Sequence, residues 1–226
     1  YTTKCLYFPH SELVRNAGSH NPDLLVFAGD QLYEGSPTRR DDSPSRALDY
    51  LYKWFLWIWS FRDLTRRIPT IVLIDDHDVY HGNLWGDGGS GYAWPGDFVN
   101  LVHRTQCIHN PDPYDPAPVD KGITVYYGAF TYGDVSFAIL EDRKFKSPPP
   151  GLPAKGSSRD ALLGDRQEKF LEAWAQDAKD GVAKICLTQT TFATVQTTPD
   201  GKPQRDSDTN GYPKPGRDRA IERLRR

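Results

Sequence analysis

Four short apolar runs in this chain break off directly into polar residues, and this pattern restricts the fold more than any other feature. Leu24-Leu25-Val26-Phe27-Ala28 runs into Gly29-Asp30-Gln31, and Thr70-Ile71-Val72-Leu73-Ile74 runs into Asp75-Asp76-His77-Asp78. Val135-Ser136-Phe137-Ala138-Ile139-Leu140 meets Glu141-Asp142-Arg143, and Ala183-Lys184-Ile185-Cys186-Leu187 meets Thr188-Gln189-Thr190-Thr191. Runs this short and apolar fit central strands covered on both faces. Between them, residues 48–64 read as a helix rich in aromatics and Leu, and residues 165–180 carry apolar side chains at helical spacing, at Phe170, Leu171, Trp174 and Ala178. Strands alternating with helices predict an α/β sheet. In such sheets ligands gather beyond the carboxyl ends of the strands, so the polar tips are expected to converge on one place.

A chain of 226 residues is long enough for one sizeable core, and residues 1–226 read as a single domain, with two small domains as the alternative. A net charge of -2 gives no support for a nucleic-acid groove, and no apolar run approaches the ~18 residues of a membrane span. No specific nucleic-acid or membrane partner is therefore indicated. The three cysteines, Cys5, Cys107 and Cys186, are odd in number, widely spaced and without a C-x-x-C pair, which does not predict a disulfide framework. Residues 82–96 hold six glycines and residues 110–118 four prolines; long loops of this kind on a compact scaffold are more often functional than idle. The chain opens on Tyr1 in what reads as a strand and closes on residues 220–226 in what reads as an unfinished basic helix. An internal fragment is the expectation.

The strand tips hold Asp30, Asp75, Asp76, His77, Asp78, Asp142 and Arg143. Carboxylates crowded at one site repel one another unless a cation lies between them. Oxygen ligands with one or two imidazoles suit Fe, Mn, Zn, Mg or Ca. Each Asp taken singly also fits a turn after a strand. His77-Asp78-Val79-Tyr80-His81 fits the H-x-x-x-H pair of zinc proteases, but that reading needs one helix through both histidines. Asp206 to Gly211 mimics the start of an EF-hand loop, yet its twelfth position is Arg217 rather than Glu. Trp54, Trp57 and Trp59 suggest either a carbohydrate-binding face or core packing; Trp54 and Trp57 share a helix face, which favours the core. A non-catalytic metal- or carbohydrate-binding module is the alternative to an enzyme.

Taken together, five segments resemble the alkaline phosphatase D family of calcineurin-like metallophosphoesterases. Gly29-Asp30-Gln31-Leu32-Tyr33-Glu34 resembles its Gly-Asp-x-x-Tyr-Glu motif, and Ile74-Asp75-Asp76-His77-Asp78-Val79 its Trp-Asp-Asp-His-Glu-Val. Leu140-Glu141-Asp142-Arg143 is similar to its Asp-x-Arg strand end, and Leu163-Gly164 with Gln167, Leu171 and Trp174 to its Leu-Gly-x-x-Gln-x-x-Trp-Leu helix. Asp208-Thr209-Asn210-Gly211-Tyr212 with Arg217 resembles its Asp-x-Trp-Asp-Gly-Tyr segment. The five occur in the family's order. Ile74 in place of Trp, Asp78 in place of Glu, and Thr209-Asn210 in place of Trp-Asp depart from it and bear on substrate preference.

The resemblance implies a four-layer α/β/β/α sandwich that lacks its C-terminal part here, and a hydrolase of phosphate mono- or diesters. It implies two metal ions, Fe(III) with Ca, Mn or Zn, that clamp the phosphate and the attacking hydroxide. Asp30 would bridge the metals, Asp76 would bind one of them, and Tyr33 and Cys5 would be phenolate and thiolate ligands. For Cys5, a buried small apolar role stays open. His77 would protonate the leaving oxygen. Arg143 would pair with phosphate oxygens or make a structural salt bridge. Asn83 would reach the metals from its glycine-rich loop or serve as a turn residue, and Asp208 would contact substrate. The implied setting is an exported, periplasmic or extracellular bacterial protein. No histidine follows His109, whereas the family closes its site with a late Gly-Asp-x-His, so residues 1–226 alone are expected to bind metal weakly and turn over little substrate.

Overall fold

The structure is a computed structural model that describes residues 11–35, 37–39, 43–80, 86, 95–152, 160–178, 183–189, 192, 197–202 and 212–225. The chain divides into two compact units, residues 1–82 with 97–110, and residues 83–96 with 111–226.

In the first unit, β1 (Leu25–Ala28) and β2 (Thr70–Leu73) pair in parallel, Leu25 opposite Thr70 through Ala28 opposite Leu73. Parallel neighbours need a crossover, supplied by α2 (Arg46–Thr65). One face of α2 repeats at helical spacing through Tyr50, Trp54, Trp57, Phe61 and Leu64, all buried. Phe27 of β1 meets this face edge-on, its ring 4.7 Å from Trp57 and 5.3 Å from Phe61. Trp54 and Trp57 stack at 4.7 Å in the core, as their shared face predicts. Trp59 lies on the exposed face under the guanidinium of Arg62. α1 (Ser11–Ser19) packs on α2, with Gly18 against Leu64. α3 (Gly96–Cys107) buries Phe98, Val99, Val102, Gln106 and Cys107. Just beyond it, the Asn110 amide acts as a one-residue strand: its Nδ2 donates to the Val72 carbonyl at 2.8 Å, and its Oδ1 accepts the Val72 N–H at 3.2 Å.

In the second unit, β3 (Gly128–Tyr132), β4 (Val135–Ile139) and β5 (Ala183–Leu187) form a sheet in that order, β3 antiparallel and β5 parallel to β4. The β3–β4 hairpin turns on Gly133 and Asp134, both at positive φ (56° and 61°), the geometry that matches strand twist in two-residue hairpins. α4 (Gly164–Gln176) lays Phe170, Leu171 and Trp174 over Val125, Tyr127, Ala138 and Leu140. The Trp174 indole N–H donates to Ser136 Oγ at 2.8 Å, which satisfies the ring's one polar atom inside the core. α5 (Lys214–Arg225) is held along α4 by Arg219 to Glu168 at 3.0 Å and Arg223 to Glu172 at 2.9 Å.

The four predicted strands are present, but two are less covered than their sequences suggest. β2 and β4 are buried almost throughout, whereas β1 alternates and β5 has exposed residues, Val26 and Ile185 among them. Among the described residues, β1 pairs only with β2, and β5 only with β4. The expected strand around Cys5 lies outside the described residues. Among the described residues, Cys107 and Cys186 form no disulfide, and burial pushes the Cys186 thiol up to about 12. Among the described residues, no helix is long and apolar enough to cross a membrane.

Candidate metal centre

β1 and β2 end level with each other at Ala28 and Leu73, so their following residues emerge side by side. The chain after β1 turns sharply through Gly29 (φ 104°) and Asp30 (φ 55°). Gly29 is required there twice over, by its backbone and by space. A Cβ on it would sit 2.5 Å from Cβ of Asp75, well inside contact distance. After β2, His77–Val79 form a single 3₁₀ turn that stops at Tyr80 in the left-handed conformation (φ 60°).

Asp78 locks the two tips together. Its Oδ2 accepts the N–H groups of Asp30 and Asp75, each at 2.9 Å; its Oδ1 accepts Leu32 N–H at 3.1 Å and Gln106 Nε2 at 3.3 Å. Burial raises its pKa, while the N–H groups that converge on both oxygens pull the other way. Gln31 adds a second tie, accepting Gly29 N–H at 3.1 Å and donating to the Leu73 carbonyl at 2.7 Å. Neither residue faces outward as a ligand would; both set the shape of the tip.

The result is a cluster of Asp30, Asp76 and His77 whose ligand atoms all lie within 4.8 Å of one another. Two carboxylates suit a hard or borderline cation, and the imidazole beside them has the chemistry of a ligand or of an acid. The Tyr33 hydroxyl donates to Asp30 Oδ2 at 2.5 Å, so the phenol stands at the same place. Burial, then the bond to Asp30 and the charge of that carboxylate, raise the Tyr33 pKa beyond its ordinary value. Only a strong local positive charge makes this residue a phenolate ligand.

His77 is held differently. Its Nδ1 pairs with Glu34 Oε2 at 2.9 Å, and its ring stacks on Tyr33 with centroids 4.3 Å apart. The bond to Glu34 outweighs desolvation and, with the nearby Asp76 and Asp30, raises His77 to about 9. A ring nitrogen committed to Glu34 and a raised proton affinity suit an acid better than a ligand. Glu34 was quoted above only as part of a motif; its part in holding His77 needed geometry to be seen.

The other predicted site residues fall in the second unit or outside the described residues. Arg143 and Asp142 follow β4 and are buried. The Arg143 carbonyl accepts Gly86 N–H at 2.8 Å, and a Cβ on Gly86 would lie 2.3 Å from the Lys144 carbonyl, so that loop glycine sits flat on the strand end. Glu141 pairs with Lys144 at 2.7 Å. Gln167 of α4 both accepts the Glu141 N–H at 2.8 Å and donates to its carbonyl at 2.6 Å. Cys5, Asn83 and Asp208 lie outside the described residues, as does His81. The turn begun at His77 ends at Tyr80, which is shorter than the helix that a zinc-protease pair needs.

Fold and tips together define a mixed α/β protein whose strand ends gather two carboxylates fit to hold a cation, with an imidazole beside them. The chain belongs to the PhoD-like phosphatase family, whose sequence model matches residues 3–226. It is similar to the solved structure of PhoD, with a TM-score of 0.67 at 18% identity, covering 94% of this chain and 45% of that one. The chain thus spans less than half the length of that structure. A search of curated proteins found no match.

Proposed function

We propose that this chain carries the metal-binding part of a phosphoesterase that hydrolyses phosphate mono- or diesters, within a calcineurin-like four-layer sandwich. The observation that carries the reading is the Asp30–Asp76–His77 cluster at the level ends of two parallel strands. Asp30 would bridge two cations and Asp76 would bind one, with Tyr33, Cys5 and Asn83 completing the set around Fe(III) and a Ca, Mn or Zn ion. When bound, such ions neutralise phosphate charge and acidify a water to a nucleophile.

The chain's own residues do the rest. Asp78 and Gln31 fix the tips before any ligand arrives, so little ordering remains for binding to impose. Glu34 holds His77 by Nδ1, which leaves Nε2–H as the proton to deliver. As the phosphorus–oxygen bond breaks, that proton passes to the departing alkoxide oxygen and the ring is left neutral, its other N–H still on Glu34. Arg143, planar and charged at all relevant pH, and Asp208 are assigned to substrate.

The test is elemental analysis of the full-length protein together with turnover of nitrophenyl phosphate and bis(nitrophenyl) phosphate, repeated on Asp30→Asn. Loss of most bound metal and of turnover in the variant is expected. A variant with wild-type metal content and activity overturns the assignment, and stoichiometric metal without turnover in the wild type points to a binding module instead.

A further inference from the structure

Behind the metal centre, α2 carries a buried charge that the proposed chemistry does not use. Lys53 is 1% exposed. A buried ammonium persists only if it is paired and fully hydrogen-bonded. Its Nζ donates to Asp49 Oδ2 at 2.7 Å, one turn earlier on the same helix face, and to the backbone carbonyl of Glu34, also at 2.7 Å. It lies 4.8 Å from the centre of the Tyr80 ring. Asp49 in turn accepts the hydroxyls of Tyr80, at 2.7 Å, and of Thr38. Although burial opposes ionisation of Asp49, the hydrogen bonds from Lys53, Thr38 and Tyr80 outweigh it and hold its pKa below the usual carboxylate value.

The two tethers end on the two segments that meet at His77. One grips the main chain of Glu34, whose carboxylate holds His77 Nδ1. The other grips Tyr80, which closes the turn bearing His77: Tyr80 N–H donates to the His77 carbonyl at 2.9 Å. We propose that the Lys53–Asp49 pair of α2 is a positioning element that sets the orientation of His77, through the Glu34 carbonyl on one side and the Tyr80 hydroxyl on the other. A buried ion pair is a weak source of net stability, because desolvation offsets most of its attraction. What this one supplies is a rigid link from a packed helix to two loops, the kind of support that a proton donor needs to stay aligned.

The kinetic consequence of this role rests on the phosphoesterase reading; the alignment itself does not. Two variants test it in the full-length protein. Tyr80→Phe keeps the ring and removes one tether, and Lys53→Met keeps the stem and removes the other. The direct readout, on protein loaded with diamagnetic Zn so that no paramagnetic ion broadens the signal, is the low-field NMR resonance of the His77 Nδ1 proton and its exchange with water. Faster exchange or loss of that signal is expected in both variants, with metal content unchanged. With an alkyl phosphate, kcat should fall by up to about 10²-fold, the scale of a misplacement of ~1 Å, while KM changes little and a nitrophenyl ester loses less. If Lys53→Met does not fold, Tyr80→Phe decides alone. A folded Tyr80→Phe protein whose His77 proton exchanges as in wild type overturns the inference, whatever the activity. A wild-type protein without turnover would remove the phosphoesterase reading and leave the NMR result to judge the tether.

Discussion

Asp78 and Asp30 stand on different strand tips and are joined by a hydrogen bond of 2.9 Å, from the backbone N–H of Asp30 to Oδ2 of Asp78. The same carboxylate accepts N–H groups from Asp75 and Leu32, so one fully buried side chain reads the backbone on both sides of the site. Asp78→Asn keeps the shape but replaces an acceptor oxygen with an NH₂ group. At least one buried N–H then faces a donor, at a cost of about 1–3 kcal/mol. Chemical denaturation should show that loss, and metal titration should show weaker binding. Unchanged values in both would mean that the tips are held by something else.

His77→Ala removes the proposed proton donor without touching Asp30 or Asp76. General acid catalysis contributes roughly 10²–10⁴-fold, and the loss should reach that range for an alkyl ester. It should be much smaller for a nitrophenyl ester, whose leaving group barely needs a proton. Equal losses on the two substrates would count against the assignment.

The pH dependence follows from the Glu34–His77 pair. The pair raises His77 from its ordinary 6.5 to about 9. The sign is that of a cation gaining a partner: its contribution to stability is complete below 6.5 and is lost as pH rises through about 9. Turnover of a poor leaving group should decline over the same upper range, as the acid deprotonates. In Glu34→Gln the largest cause of the shift is gone, so the decline should begin at lower pH. A pH–rate profile of the variant superimposable on that of the wild type would separate His77 from the proton transfer.

Gly29→Ala meets two obstacles at one position. Its φ of 104° is foreign to residues with a Cβ, and that Cβ would press on Asp75 at 2.5 Å. Backbone strain of this kind costs on the order of 1–3 kcal/mol, and the clash is relieved only by moving Asp75. Reduced stability and reduced metal affinity should therefore appear together, and a variant that loses neither would show that the tip relaxes freely.

Gln167→Leu probes the second unit. Gln167 satisfies both the N–H and the C=O of Glu141, and leucine satisfies neither. A loss of about 1–3 kcal/mol per stranded buried group is expected in denaturant unfolding.

Sequence alone carried much of this arrangement and missed the rest for physical reasons. β1, β2, β4 and β5 were legible because short apolar runs that break into polar or glycine residues leave little choice of structure. β3 was missed: Gly128 to Tyr132 mixes exposed and half-buried side chains, and its signal lay instead in the Gly133-Asp134 turn. α3 was hidden by the glycine-rich stretch before it. Asp30, Asp76 and His77 could be read from their motifs, and the geometry brings them together. The parts of Glu34, Lys53 and Asp49 could not: Asp49 and Lys53 stand at the i,i+4 spacing of an ordinary surface pair, and nothing in that spacing says that the pair is buried or reaches Glu34 and Tyr80. They become visible only when chain segments far apart in sequence are seen in contact.

The level ending of β1 and β2 also makes the site a gauge of strand alignment. Ala28 stands opposite Leu73, and each step along a strand is about 3.3 Å. A ladder slipped by one residue would turn the side chains of one strand to the opposite face. A slip of two would restore the faces but carry Asp30 roughly 6–7 Å past Asp76, farther than the 4.8 Å within which the cluster's ligand atoms now lie. Neither misaligned form keeps a site for the cation. Metal capture during refolding would thus record the moment at which the two strands find their correct partners, and a chain trapped out of step would be blind to the ion.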